Sequence, residues 1–279
     1  MSPASLTLSA TELKNLEEYI VSAGLNQVPP TNKYESLRIS DGDVRIVVYT
    51  SGKIVHNGSE SSQKIIDEIL RPEDTHDFVL GSDETGKGEW YGPLVVTATA
   101  LTPDQILVLR KLGVRDSKTI RKPELMKLAV QLFVLDFPRF TITLLPERYN
   151  LMYADFEREG KSLNDLMAWA HADVIKDALM SVNAKNARVV IDKFDFRKME
   201  LRLASLDRTH VEIIQKSHGE SEIPVAAASI IAKYTFETEV DKLNERYGID
   251  LRKMQPEDLD PSILPFVAKM HFKNVSGSR

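Results

Sequence analysis

Acidic residues carry the densest chemical signal in this chain. Gly81-Ser82-Asp83-Glu84-Thr85-Gly86-Lys87-Gly88 sets two consecutive carboxylates at the end of an apolar stretch and follows them with glycines. The spacing imitates a phosphate-binding P-loop, but Gly88 stands where that motif needs a Ser or Thr for magnesium. Asp83 and Glu84 would also repel an anion cradled there. Two further acidic regions occur downstream. Val189-Val190-Ile191-Asp192 places a carboxylate at the exit of a short apolar strand, where open α/β sheets commonly build their sites. Asp195 lies close enough to compete for that role. Glu220 and Glu222 precede Pro224 and the helix opened by Ala226-Ala227-Ala228-Ser229. Each acid also has an ordinary reading, as a turn residue or a helix N-terminal charge. Taken together, carboxylates from separate segments without histidine or cysteine partners fit phosphoryl transfer at two magnesium ions about 4 Å apart. In a regular strand, however, neighbours such as Asp83 and Glu84 point to opposite faces. Both can serve one site only if the backbone twists or the two acids reach it by different routes.

The elements that must position these acids follow from periodicity. Phe78 to Leu80, Leu94 to Leu101, Phe140 to Leu145, Arg188 to Ile191 and Val211 to Gln215 read as strands. Pro123 to Phe133, Leu163 to Met180 and Val225 to Tyr247 read as helices, the first capped around Arg121-Lys122 and the last ended by Gly248. Strands that begin as a hairpin and then alternate with helices indicate a mixed α/β sheet. The small residues opening the last helix predict very close packing on that sheet.

Ahead of these lies a smaller α+β unit. Ser9-Ala10-Thr11-Glu12 fits a capping box, and Leu13, Leu16 and Ile20 follow at helical spacing. Tyr34 to Ile39, Val44 to Tyr49 and Lys53 to His56 form three short strands, turned at Asp41-Gly42 and Ser51-Gly52. Ile65, Ile66, Ile69 and Leu70 mark a closing helix. The polar, proline-containing stretch Arg71 to Thr75 divides the chain into residues 1–71 and 76–279.

Composition bounds the chemistry. The 279 residues are 42% hydrophobic and 28% charged, with a net charge of −5, as expected of a globular protein. No apolar run approaches the roughly 20 residues of a membrane helix. The N-terminus lacks a signal-peptide pattern, so a cytoplasmic location is expected. With no cysteine, metal ligands must come from oxygen or from histidine, which favours Mg2+ or Mn2+. Any contact with nucleic acid must come from a local patch, because bulk charge is not basic.

The run from Gly81 to Ala98, with its Asp-Glu pair, Gly-x-Gly and Gly92-Pro93-Leu94-Val95-Val96, resembles the opening active-site motif of type 2 ribonucleases H. Asp116-Ser117-Lys118, Ser162 to His171, Val189 to Asp192 and Ala226 to Lys233 are similar to later blocks of that family, in order. Ala268-Lys269-Met270-His271-Phe272 and the small N-terminal unit resemble the ribonuclease HIII branch. The resemblance implies a ribonuclease H-like fold, a five-stranded mixed sheet flanked by helices. It also implies an N-terminal domain shaped like half of the TATA-box-binding protein, acting as a substrate platform. The implied activity is endonucleolytic hydrolysis of RNA in an RNA/DNA hybrid, leaving 5′-phosphate and 3′-hydroxyl ends.

The family's four acids map onto Asp83, Glu84, Asp192 and Glu220, with Glu222 the alternative for the fourth, and these would hold two Mg2+ or Mn2+ ions. Gly86, Lys87 and Gly88 match the element that meets RNA 2′-hydroxyls, with a lysine at an unexpected central position. Ser117 and Lys118 are candidates for phosphate binding and Tyr91 for stacking on a sugar, each against a packing or solvation role. Lys33, Arg38, Arg45 and Lys53 could meet the duplex backbone. His171, among apolar helix neighbours, reads as structural, as does His271 beside Phe272. A monomer is expected. The competing reading is a non-catalytic nucleic-acid-binding protein on the same fold, and a third is a related two-metal enzyme that cuts DNA.

Overall fold

The computed structural model describes residues 3–71, 75–192, 195–204, 206, 209–216 and 219–277, leaving aside the side chains of Phe196 and Glu220. Two compact units result, Met1–Asp74 and Thr75–Arg279. Pro72, Glu73 and Asp74, central to the expected boundary, lie outside the described residues.

In the first unit, β1 (Ala4–Thr7), α1 (Ala10–Ala23), β2 (Glu35–Asp41), β3 (Val44–Tyr49), β4 (Lys53–His56) and α2 (Glu60–Leu70) follow one another. The four strands form an antiparallel sheet in the order β1-β4-β3-β2. Alternation along β3 buries Val44, Ile46 and Val48, with Leu16 and Ile20 of α1 and Ile65, Ile66 and Ile69 of α2 also buried. The Ser9–Glu12 capping box forms as its spacing requires. Strand β1 is an addition to the elements expected from sequence.

The second unit contains β5 (Phe78–Thr85), β6 (Leu94–Leu101), α3 (Pro103–Lys111), α4 (Lys122–Val134), β7 (Arg139–Leu144), α5 (Pro146–Arg158), α6 (Leu163–Ser181), β8 (Ala187–Asp192), α7 (Phe196–Leu203), β9 (Val211–Lys216) and α8 (Ile223–Tyr247). Two short helices, α9 (Leu264–Val267) and α10 (Lys273–Ser276), end it. The sheet order is β7-β6-β5-β8-β9, with antiparallel pairing on the β6 side of β5 and parallel pairing on the β8 side. This is the expected five-stranded mixed sheet. Helices α3, α5 and α7 are additions. Helix α3 has a signal in hindsight, a Thr102–Gln105 capping box with proline in the first turn. Arg121 stands at the N-cap of α4 but makes no side-chain cap hydrogen bond, so it does not supply the expected cap.

Each face of the sheet has its own core. Leu80, Val96, Ala98 and Ile191 pack with Leu166, Met167, Ala170 and Val174 of α6. On the other face Val79, Leu101 and Val190 pack with Val225, Ala226 and Ile230 of α8 and with α3 and α4. Helix α8 lies unusually close to the sheet at its start. A Cβ on Gly81 would stand 2.2 Å from the Val225 nitrogen, and the Thr99 hydroxyl donates to the Pro224 carbonyl at 2.9 Å. Gly81→Ala should therefore unseat the helix and cost at least about 3 kcal/mol, the upper end of ordinary overpacking. Urea unfolding of the two proteins measures this, and a loss under about 1 kcal/mol would contradict the close seating of α8.

Candidate active site

The acids of the first motif lie inside a strand rather than in a turn after it. The pleat of β5 directs Leu80, Ser82 and Glu84 toward α6, and Val79, Gly81 and Asp83 toward α8. Glu84 accepts a hydrogen bond from the His171 ring of α6, with Nε2 3.1 Å from Oε2. Asp83 faces the Ser229 hydroxyl of α8, which favours its charged form. The Ser117 and Ser229 hydroxyls lie 2.7 Å apart and hydrogen-bond to each other. The two acids are thus held from opposite faces of one strand at its carboxyl end. Asp192 closes the parallel neighbour β8, one residue beyond the Ser82–Ile191 pair, and accepts from the Gly219 amide at 3.1 Å.

Asp83, Glu84 and Asp192 line one open cavity of about 470 Å³. Gly86, Lys87, Gly88, Ser117 and Lys118 line it too. Gly86 has φ of +92°, and a Cβ there would strike the Pro93 carbonyl at 2.1 Å, so only glycine turns the chain back here. Lys87 Nζ is 3.8 Å from Glu84 Oε1. Asp116 caps the short 3-10 turn Ser117–Thr119 by accepting from the Lys118 amide, which holds both neighbours at the cavity. Tyr91 is not brought to the cavity; its ring packs against Trp90 and Phe236. Asp195 caps α7. Glu222 pairs with Lys216 and with Arg188 and does not line the cavity. The Glu220 side chain lies outside the described residues.

Thr85, Glu89, Ile120, Ser229 and Lys233 also line the cavity and had no expected role. Ser229 and Lys233 stand four apart on α8 and share its cavity-facing stripe. The helical spacing was readable, but which face of α8 met the acids was not. His171, read from sequence as structural, is the partner of Glu84.

Burial and the neighbouring Glu84 charge push the Asp83 carboxyl up to about 6, against the Ser229 hydrogen bond. Burial acts on Glu84 too, but the hydrogen bond and charge of His171, with Lys87 and Lys118, outweigh it and hold that carboxyl below its ordinary range. Among the described residues no three His, Asp or Glu side chains form a preformed metal cage. The cavity instead offers oxygen donors on open walls. That donor set fits a hard divalent cation such as Mg2+ or Mn2+, which retains waters and takes only one or two carboxylates.

A mixed five-stranded sheet with carboxylates at the ends of its adjacent central strands defines a ribonuclease H-like fold. The sequence matches the family described as Ribonuclease HII over residues 80–275. It is 33% identical over 267 residues to ribonuclease HIII of Chlamydia pneumoniae, covering 90% of this chain and 86% of that one. Against ribonuclease HIII of Chlamydia muridarum it is 30% identical, covering 98% and 95%. A crystal structure of Bst-RNase HIII in complex with Mn2+ superposes with a TM-score of 0.64 at 21% identity, covering 99% and 98% of the two chains. RNase H3 of Aquifex aeolicus gives 0.57 at 22% identity, covering 96% and 100%. The chain belongs to the ribonuclease HII family.

The segment following Gly88 is pinned by a lysine. Lys269 is fully buried, and its Nζ donates to the carbonyls of Glu89 at 3.0 Å and Tyr91 at 2.9 Å. Burial lowers its pKa from 10.5 to about 7, against the Glu89 charge. The unfolded chain therefore binds the extra proton between these two values, and stability should rise with pH across that interval. Urea midpoints taken from pH 7 to pH 9.5 should climb less steeply in Lys269→Met than in the parent; parallel slopes would mean that Lys269 titrates normally.

Proposed function

We propose that this ribonuclease H hydrolyses the RNA strand of RNA/DNA hybrids at the cavity of Asp83, Glu84 and Asp192, leaving 5′-phosphate and 3′-hydroxyl ends. The observation that carries the reading is the convergence of these three acids, from two adjacent strands, on a cavity also lined by Lys87, Lys118 and Lys233. Mg2+ or Mn2+, two ions in the active complex, would be held by these acids and by Glu220. Such ions supply Lewis-acid stabilisation of the phosphate and an activated water. Glu220 is favoured as the fourth acid because Glu222 is engaged by Lys216 and Arg188. A manganese complex of a ribonuclease HIII with the same fold supports divalent metal use.

The chain's own residues bind and orient the strand. Lys87 and Lys118 supply charge to phosphates, while Gly86 and Gly88 bring backbone close enough to meet 2′-hydroxyls. Those hydroxyls line the wide minor groove of an A-like duplex and distinguish RNA from DNA without base reading. In the N-terminal unit, Arg38 is committed to Glu35 and Arg45 to the Gly42 and Val44 carbonyls. Lys33 and Lys53 remain the exposed cations beside Tyr34 and Tyr49, and Lys53 lines a shallow pocket with both tyrosines. This unit acts as the substrate platform. No helix among the described residues is long and apolar enough to cross a membrane. The enzyme acts as a monomer in the cytoplasm.

Three labelled duplexes of one sequence test the reading: an RNA/DNA hybrid, DNA with a single ribonucleotide, and all-DNA. Cutting of the hybrid should require Mg2+ or Mn2+ and stop with chelator. Asp192→Asn should lower turnover by at least about 1,000-fold with hybrid binding retained, since it removes transition-state stabilisation rather than affinity. Cleavage of the all-DNA duplex would favour the DNA-cutting alternative. Binding without cleavage of any duplex would favour the non-catalytic one. Reversing charge at Lys33 and Lys53 together should raise KM for the hybrid severalfold with kcat unchanged, because phosphate contacts position the duplex. An unaltered KM would remove the platform role from that face.

A further inference from the structure

We propose that His171 is a positioning residue, which sets one oxygen of Glu84 toward the divalent cation. The inference rests on the reading of the cavity as the metal site. His171 sits in the middle of α6, 1% exposed, within the apolar cluster beneath the sheet. A polar ring buried there is destabilising unless both nitrogens are paired. Both are. Nδ1 lies 3.0 Å from Ser82 Oγ and Nε2 lies 3.1 Å from Glu84 Oε2. Ser82 is itself fully buried.

The proton assignment follows from the partners. Ionised Glu84 only accepts, so Nε2 carries a hydrogen toward it, and Nδ1 is paired with the Ser82 hydroxyl. The ring is thereby fixed by two residues of the same strand, on the same face, one pleat repeat apart. Glu84 Oε2 is committed to the ring. Its Oε1 lies toward Lys87, 3.8 Å from Nζ, and is the oxygen left to meet a cation. A carboxylate with one oxygen pinned offers single-oxygen coordination in a defined direction. Without the pin it would rotate, and it would be pushed away by Asp83. Hydrogen bonds to metal-binding carboxylates act in this manner, and their loss typically weakens metal affinity or activity by about 10- to 100-fold.

The experiment uses the full chain and Mn2+ as probe, measuring Mn2+ affinity by calorimetry without substrate, then kcat for the hybrid at limiting Mn2+ and KM at saturating Mn2+. His171→Phe fills the ring space and removes both hydrogen bonds. It should weaken Mn2+ binding about 10- to 100-fold and lower kcat at limiting metal, with KM for the hybrid unchanged. His171→Gln, whose amide reaches Glu84, should recover Mn2+ affinity to within about threefold of the parent. A merely structural histidine would lower melting temperature in both variants and leave Mn2+ affinity alone, and that result overturns the proposal. If His171→Phe does not fold, His171→Asn makes the same comparison, since its shorter amide keeps a partner for Ser82 but does not reach Glu84. Unchanged Mn2+ affinity in that variant also overturns it. Asp192→Asn separates the two levels. If the parent and Asp192→Asn bind Mn2+ equally, the metal-site reading fails and the inference goes with it. If Asp192→Asn loses Mn2+ while His171→Phe does not, only the positioning role fails.

Discussion

Two carboxylates on consecutive residues of a buried strand lose hydration together and repel each other, and the strand pleat turns them to opposite faces. Much of the second unit answers that constraint. Asp83 and Glu84 cannot be stabilised by one neighbouring element, because no single helix touches both faces of β5. Helix α8 supplies Ser229 to one acid and α6 supplies His171 to the other. For α8 to deliver a short serine side chain to the strand, its first turn must lie nearly on the backbone, which the missing side chain at Gly81 permits. The Asp-Ser-Lys turn is drawn in by the same path, since Ser117 hydrogen-bonds to Ser229. The acids also differ in proton affinity as a consequence. Serine offers one neutral hydrogen bond, and Asp83 is raised to about 6; the histidine, with two lysines beyond it, holds Glu84 below its ordinary range.

The layout was legible in the sequence where a local pattern and the tertiary structure agree. β6, which alternates or runs apolar, read as a strand, and it is buried on both faces. The end of α8 was visible in Gly248, which adopts the left-handed conformation. The ambiguity between Asp192 and Asp195 resolves only in three dimensions, where one lines the cavity and the other caps α7. His171 could not be assigned from its neighbours in sequence. Its partners lie 87 and 89 residues away, and a histidine in an apolar helix stripe looks the same whether its nitrogens meet functional groups or structural ones. Strand β1 was missed for a similar reason. Its four residues have no period of their own and are ordered by pairing with β4. Tyr91 had two readings, stacking on a sugar or packing the hairpin. It stands beside the glycine motif in sequence, yet the turn at Gly92 and the pairing with Ala268 carry its ring into the core formed with Phe236.

The net charge of −5 conceals how the cavity can receive a polyanion. Beyond about 8–10 Å, charges on a protein surface are largely screened at physiological salt, so the total matters less than what lines the groove. There, Lys87, Lys118 and Lys233 stand among Asp83, Glu84 and Asp192. Lys87 and Lys118 act on Glu84, while Lys233 is tethered to Glu237 at 3.7 Å and lies over the Phe236 ring. With Glu89 also on the wall, the acids outnumber the lysines in the absence of metal. Divalent cations would tip that balance to positive only at the acids, while the lysines extend the positive field along the walls. On the proposed reading, attraction for a phosphate strand would depend on the same ions as the chemistry, and a strand lying in a metal-free cavity would meet repulsion at the acids. An acidic protein can in this way engage nucleic acid selectively at a loaded site, without the basic surface that would bind duplexes of every kind.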